Sequence, residues 1–452
     1  MTKNSNSGWR TKLKRRSRGG FGRSILAGAV IIAVGVFFSL ILKLPGSQTV
    51  AEDTDPPDVT FTRDIIPIFQ ENCQSCHRPG GIGPFSLMTY EETRDFAPLI
   101  KEEVSSRIMP PWLVAEGYGE FKNERRLSAE QIDTIARWVD AGAPEGNPLD
   151  MPPPRQFPEE WQLGTPDLVL DPGDDFKVRA RGTDFFRSFV LPHQFEEDVY
   201  IAAIEVIPRA KEVVHHLGIY LDTEGISPKL DRESPGLGFT GDMGFSYSMI
   251  IDLWTPGGTP RFHEYGTGIL VPAGSYLVMD IHYSPVGEVY YDRTSVGIYF
   301  AKWPVDKEVH LGLTGNTTFE IPAGAKNYQV TGKQIIRHDI HVLSGWPHMH
   351  YLGKEMKVWA TLPDGQTIPI MWVPDYDFHW QQVYQLKEPL ALPEGSYVNL
   401  IAFYDNSEDN PENPYKKPRP IRFGQRAQDE MCYFYFYYTE DDEHLLQGVT
   451  AE

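Results

Sequence analysis

Cys73-Gln74-Ser75-Cys76-His77 is the run with the most restrictive chemistry in the chain. Two thiols separated by two residues can form thioethers with the vinyl groups of one haem, and the next histidine then reaches the iron. The other chemistries of a Cys-x-x-Cys run are a redox dithiol, half a zinc site, or a disulfide beside a bystander histidine. A zinc site needs a second ligand pair, and the chain holds only three cysteines, the third being Cys432. The motif therefore predicts covalent haem c on Cys73, Cys76 and His77. A second axial ligand is expected from a methionine, because a thioether opposite histidine raises the potential and suits electron transfer. Met109, in Arg-Ile-Met-Pro-Pro-Trp, is the preferred candidate over Met88, since two prolines stiffen its loop.

Thirteen histidines supply the rest of the potential chemistry. In His348-Met349-His350, residues i and i+2 of an extended segment face the same way, so two imidazoles can share one metal. His215-His216 can share a metal only at a strand end or a bulge, because neighbours on a regular strand face opposite sides. His282, in Asp-Ile-His-Tyr-Ser-Pro, could complete that set. Met431, in Asp-Glu-Met-Cys, adds a soft thioether, and imidazole with thioether suits copper better than zinc. Taken one at a time, each of these histidines fits equally well as a hydrogen-bonded core or surface residue.

The elements that must position these groups fall into four stretches, with fold class multidomain: a membrane helix, a small all-α haem domain, then mainly-β sandwiches. Residues 1–50 carry nine Lys/Arg and no acid, and Ile25 to Leu42 is an 18-residue apolar run. That length just spans a hydrocarbon core, with the basic flank cytoplasmic. A cleaved signal peptide is the alternative, but Thr49-Val50-Ala51 makes a poor cleavage site, so an uncleaved anchor is expected. The body is then single-pass anchored on the periplasmic side of the cytoplasmic membrane. The formal net charge is −20 overall, and residues 51–452 hold 33 basic and 62 acidic residues, which excludes nucleic acid as a partner.

Residues 51–148 read as the helical haem domain. Its last helix starts at an N-cap and capping box on Ser128 and Gln131, runs with an apolar stripe of Ile132, Ile135, Ala136 and Val139, and stops at Gly142. A Pro-rich linker covers 149–165. Beyond it the apolar period becomes two, as in Val199–Ile207, Tyr276–Tyr283 and Tyr397–Tyr404. Two antiparallel jelly rolls are expected, 166–315 and 316–452. The turns Val271-Pro-Ala-Gly and Leu392-Pro-Glu-Gly hint at an internal repeat.

The order His215-His216, His282, His348-x-His350, Met431 resembles the copper type II, ascorbate-dependent monooxygenases over residues 165–440. The resemblance extends to Ile-His-Tyr-Ser, to Met-His-Tyr-Leu-Gly-Lys-Glu-Met after the second pair, and to the run from Tyr404 to Pro411. It implies two copper ions, one per jelly roll, facing each other across a solvent-filled cleft. His215, His216 and His282 would hold the electron-supplying copper. His348, His350 and Met431 would hold the copper where dioxygen and substrate meet, in hydroxylation of a C–H bond. The haem, or an ascorbate-like reductant or another cytochrome, would supply the electrons. Residues 51–148 likewise resemble small haem c domains fused to other exported enzymes.

Three features depart from the family. No cysteine pair remains for its disulfides. Trp346 stands where the peptide-hydroxylating members carry a substrate-binding arginine, and Tyr433 where they carry an asparagine, although Tyr435 matches a family tyrosine. A small apolar or aromatic substrate is therefore expected. The competing readings are a non-catalytic copper and haem electron carrier, and a subunit of a respiratory complex.

Overall fold

The computed structural model describes residues 58–122, 124–158, 160–244 and 249–446. The expected anchor at 25–42 lies outside them, and no helix among the described residues is long and apolar enough to cross a membrane.

The first described unit is a small helical core in which Phe61, Ile65, Ile66, Phe69, Ile135 and Trp138 are fully buried. Helix Ala129–Asp140 begins where Ser128 accepts from Gln131 N and the Gln131 side chain returns to Ser128 N, which satisfies two otherwise orphaned donors. It ends at Gly142, whose φ of 85° only glycine adopts cheaply. Of the expected stripe Ile135 is fully buried and Ile132 and Val139 pack against the core, and Trp138, outside the stripe, is fully buried beside them. Trp138 is the largest apolar group on that helix, and its indole N–H donates to Pro144 O at 3.0 Å. That partner lets a polar-tipped ring go fully inside.

Between helices Ala97–Ser105 and Ala129–Asp140 the chain loops out along the second sandwich. Ala115 N donates to Trp372 O, Lys122 N to Gln385 O, and Lys387 N to Glu120 O. Trp112, Phe121 and Tyr384 pack edge to face beside these bonds.

Two β-sandwiches follow, and they share one topology. In the first, one sheet orders its strands Leu168–Leu170, Ser295–Phe300, Val199–Ile207, Thr267–Val271, with Lys307–Glu308 added in parallel at the edge. The facing sheet orders Phe185–Gln194, Tyr276–Tyr283, Val214–Asp222, Ile250–Trp254. In the second sandwich the corresponding sheets are His310–Gly315, Tyr433–Glu440, Ile340–His348, Tyr384–Leu392, and Tyr328–Ile335, Tyr397–Tyr404, Gly353–Thr361, Thr367–Val373. Successive strands switch sheets in the same sequence in both halves. The Pro-Ala-Gly and Pro-Glu-Gly turns end equivalent strands, Thr267–Val271 and Tyr384–Leu392.

One boundary moves. Strand His310–Gly315 pairs with Tyr433–Glu440, so the second sandwich begins at His310 and not after residue 315. The two sandwiches also share packing: Tyr437 belongs to the core of the first, and Ile250, Trp346 and Tyr435 form a cluster between them.

Replacing Trp138 with alanine should destabilise the helical unit by about 3–5 kcal/mol. Limited proteolysis should then cut within 58–148 first, and the sandwiches should melt as in the parent.

Candidate metal centres

Strand Val214–Asp222 pairs with Tyr276–Tyr283 so that Val214 faces Tyr283 and His216 faces His282. Two residues on one strand thus span one step on the other, and His215 is the extra residue of a bulge. The bulge removes the alternation that would separate neighbouring side chains. His215, His216 and His282 each bring a ring nitrogen within 4.8 Å of the others. His215 Nδ1 and His216 Nδ1 lie 2.9 Å apart. His282 Nδ1 is buried without a hydrogen-bond partner, while Asp184 Oδ2 is 3.3 Å from Nε2. An orphaned buried imidazole is costly unless something else, such as a metal, takes its lone pair. The fit to a metal is therefore good.

His348 closes strand Ile340–His348, and His350 sits in the turn after it, their rings 5.1 Å apart. Each donates through Nδ1, His348 to Gln381 Oε1 at 2.6 Å and His350 to Asp429 O at 3.1 Å. Those acceptors fix the tautomers and leave both Nε2 atoms as donors for a metal. Glu430 ties the third residue in: its Oε2 accepts from His350 N at 2.9 Å and from Met431 N at 3.2 Å. Met431 is itself buried, and Tyr404 donates to its carbonyl at 2.7 Å.

Burial keeps these imidazoles neutral, as metal ligation requires. It pushes His348 down to about 4 and holds His216 and His350 well below the usual histidine range. Burial also pushes Glu430 up to about 8, against the backbone N–H groups of His350, Leu352 and Met431. Asp184 goes the other way. Burial works against its charge, but His282, Ser284 and Tyr351 hold its carboxyl below the usual range.

The two sets do not face each other across a solvent-filled cleft. His216 and His348 have ring centroids only 6.4 Å apart. Phe378 fills the space between, stacked on His215 at 5.0 Å and touching His216, His282 and His350. Tyr351, next to His350, donates to Asp184 at 2.7 Å and so joins the second sandwich to the group beside His282.

In the helical unit, Cys76 N and His77 N both bond to Cys73 O, which winds the motif into one turn. Both cysteines are half-buried and unbonded to each other. His77 Nδ1 lies 3.1 Å from Phe85 O, so this nitrogen has a carbonyl to donate to, and Nε2 is left for iron. Met109 is half-buried on the segment that leaves helix Ala97–Ser105. These residues fit a covalent haem.

Gln381, Phe378, His379, Asp184, Tyr351 and Glu430 are residues of the site that spacing did not reveal. Gln381, Phe378, His379 and Asp184 are far in sequence from the ligands they touch, and only Glu430, beside Met431, and Tyr351, beside His350, had a neighbour to suggest them.

Comparison with known proteins bears on the C-terminal part. Residues 310–447 match the family model "Copper type II ascorbate-dependent monooxygenase, C-terminal domain". MOXD1 homolog 1 of Drosophila melanogaster is 26% identical over 210 residues, which are 43% of this chain and 29% of that protein. Tyramine beta-hydroxylase of Caenorhabditis briggsae is 22% identical over 264 residues, 52% of this chain and 41% of that one. The chain thus spans less than half the length of these relatives. Among solved structures, N-glycanase F shares 10% identity with a TM-score of 0.27, covering 60% of this chain and 95% of that one, too slight a likeness to bear on function.

Gln381→Leu should lower copper affinity at His348 and His350 by about 10–100-fold, because it removes the acceptor that orients His348. Competition with a copper chelator measures this, and Gln381→Glu, which keeps an acceptor, should restore most of the affinity. The stretch that holds His348, His350 and Met431 is similar to the C-terminal domain of the copper type II, ascorbate-dependent monooxygenases.

Proposed function

We propose that this chain is a copper-dependent monooxygenase that hydroxylates a C–H bond of a small aromatic or apolar substrate. The convergence of two imidazole sets beside a buried aromatic wall carries this reading. His215, His216 and His282 would hold an electron-supplying copper, and His348, His350 and Met431 a copper at which dioxygen and substrate meet. Bound copper would supply one-electron chemistry and the activation of dioxygen; a weak thioether from Met431 would keep its copper reducible.

The chain's own residues perform the rest. Gln381 and Asp429 O orient the imidazoles of His348 and His350. Glu430 fixes the backbone of His350 and Met431 together. Trp346 lies over His348 at 4.7 Å and stacks on Tyr435 at 4.8 Å, with Tyr433 behind. These three residues make the surroundings of His348 aromatic, with no arginine among them to hold a carboxylate. Trp346 Nε1 is buried with no hydrogen-bond partner, and so offers one donor to a polar group of the substrate. The relative named tyramine beta-hydroxylase makes phenethylamine-like compounds the first substrates to screen.

Haem on Cys73, Cys76 and His77, with Met109 as axial ligand, would supply electrons from within the chain, alongside an ascorbate-like reductant or another cytochrome. This role would require export, because covalent haem attachment belongs outside the cytoplasm. The run 25–42 serves as the anchor and places the body on the periplasmic side. The four stretches 1–50, 51–148, 166–309 and 310–452, with the linker 149–165, are the functional units.

Purified chain should bind two coppers, falling to one in His348→Ala/His350→Ala with haem unchanged. Oxygen uptake driven by a phenethylamine-like substrate should fall to background in that variant. A parent that binds zero or one copper would sink the two-centre mechanism. Two coppers with no coupled oxygen uptake across the substrate panel would make the chain an electron carrier instead. Separately, the alkaline pyridine spectrum should show one covalent haem per chain, lost in Cys73→Ser/Cys76→Ser.

A further inference from the structure

His379 lies on the turn Phe378–Trp380 of the second sandwich, yet it touches His215 of the first. Its Nδ1 is 3.1 Å from His215 Nε2, and its Nε2 is 3.4 Å from Glu412 Oε2. Asp377 accepts from its backbone N at 2.9 Å and fixes the turn, while Phe378 stacks on the His215 ring from the same turn. A carboxylate can only accept, so His379 Nε2 carries a proton, and in the neutral ring Nδ1 is then left to accept from His215 Nε2. His215 Nε2 must then be the donor to His379. That leaves His215 Nδ1 with its lone pair, on the side where it lies 2.9 Å from His216 Nδ1. The three groups thus form an ordered line, His215 to His379 to Glu412, in which each proton position follows from the next.

We propose that His379 and Glu412 are positioning residues for the His215/His216/His282 centre, supplied across the junction by the other sandwich. The first metal centre is then complete only when the two sandwiches are docked. The inference rests on the two-centre reading above, and it explains why an exposed-facing histidine sits on an aromatic wedge between the sandwiches. A ligating histidine whose other ring N–H is held by a carboxylate-backed partner binds metal more tightly, because its tautomer and orientation are fixed before the metal arrives.

The test uses the His348→Ala/His350→Ala background of the full chain, in which only the first centre takes copper. Chelator competition gives its affinity, and the Cu(II) electron paramagnetic resonance spectrum reports its ligand field. Adding His379→Leu should weaken copper binding about 10–100-fold and alter the spectrum. His379→Asn keeps an oxygen acceptor near the Nδ1 position and should recover most of both. Glu412→Ala, at the exposed outer end where folding is not at stake, should shift affinity in the same direction as His379→Leu. Leu and Ala variants that titrate like the background, or an Asn variant as weak as the Leu variant, would overturn the relay while leaving the centre intact. A background protein that binds no copper at all would overturn the metal-centre reading itself, and the relay with it.

Discussion

The structure depends on the packing of two unlike sheets against each other. Both sandwiches have the same topology, but the ligands do not sit at equivalent places in them. In the first they lie on Val214–Asp222 and Tyr276–Tyr283, and in the second at the end of Ile340–His348 and just before Tyr433–Glu440. A duplicated fold therefore carries two different metal sets, and bringing these particular sheets together puts His216 and His348 in near contact. Phe378 packs against His215, His216, His282 and His350 in that junction. A buried imidazole must find a partner or stay neutral, so the outer acceptors Gln381, Asp429 O and Asp184 become as necessary as the rings they hold.

Each centre also borrows from elsewhere in the chain. Asp184 of the first sandwich is hydrogen-bonded by Tyr351 of the second, and His379 of the second reaches His215 of the first. The segment leaving the helical unit is joined to the same region: Pro111 O accepts from Gln382, the neighbour of the residue that orients His348. Three units with separate cores thus converge on one polar junction, where small displacements of one element change the surroundings of the others.

Short-range patterns in the sequence carried much of the fold. The capping box at Ser128, the glycine stop at Gly142 and the strands Val199–Ile207, Tyr276–Tyr283 and Tyr397–Tyr404 stand where local chemistry puts them. Local pattern failed where tertiary contact decided between near-equal choices. Trp138 joins Ile135 at the centre of the core, with Ile132 and Val139 at its edge, because a carbonyl at Pro144 accepts from its indole N–H. The boundary fell at His310 because strand pairing, which spacing does not encode, joins His310–Gly315 to Tyr433–Glu440.

For the site, the sequence by itself determined which atoms are available to bind: two thiols beside a histidine, two histidine pairs, and thioethers. Those follow from residue type and from periods of two, which are properties of a single strand or turn. The tertiary structure alone decided that His215 is a bulge residue, so that adjacent histidines face one point, and that the two sets meet without a cleft. It alone decided which acceptors meet Nδ1 of His348 and of His350, since these lie 33 and 79 residues away in the chain. Hydrogen-bond partners of buried rings are chosen by packing, and packing is a property of the folded whole.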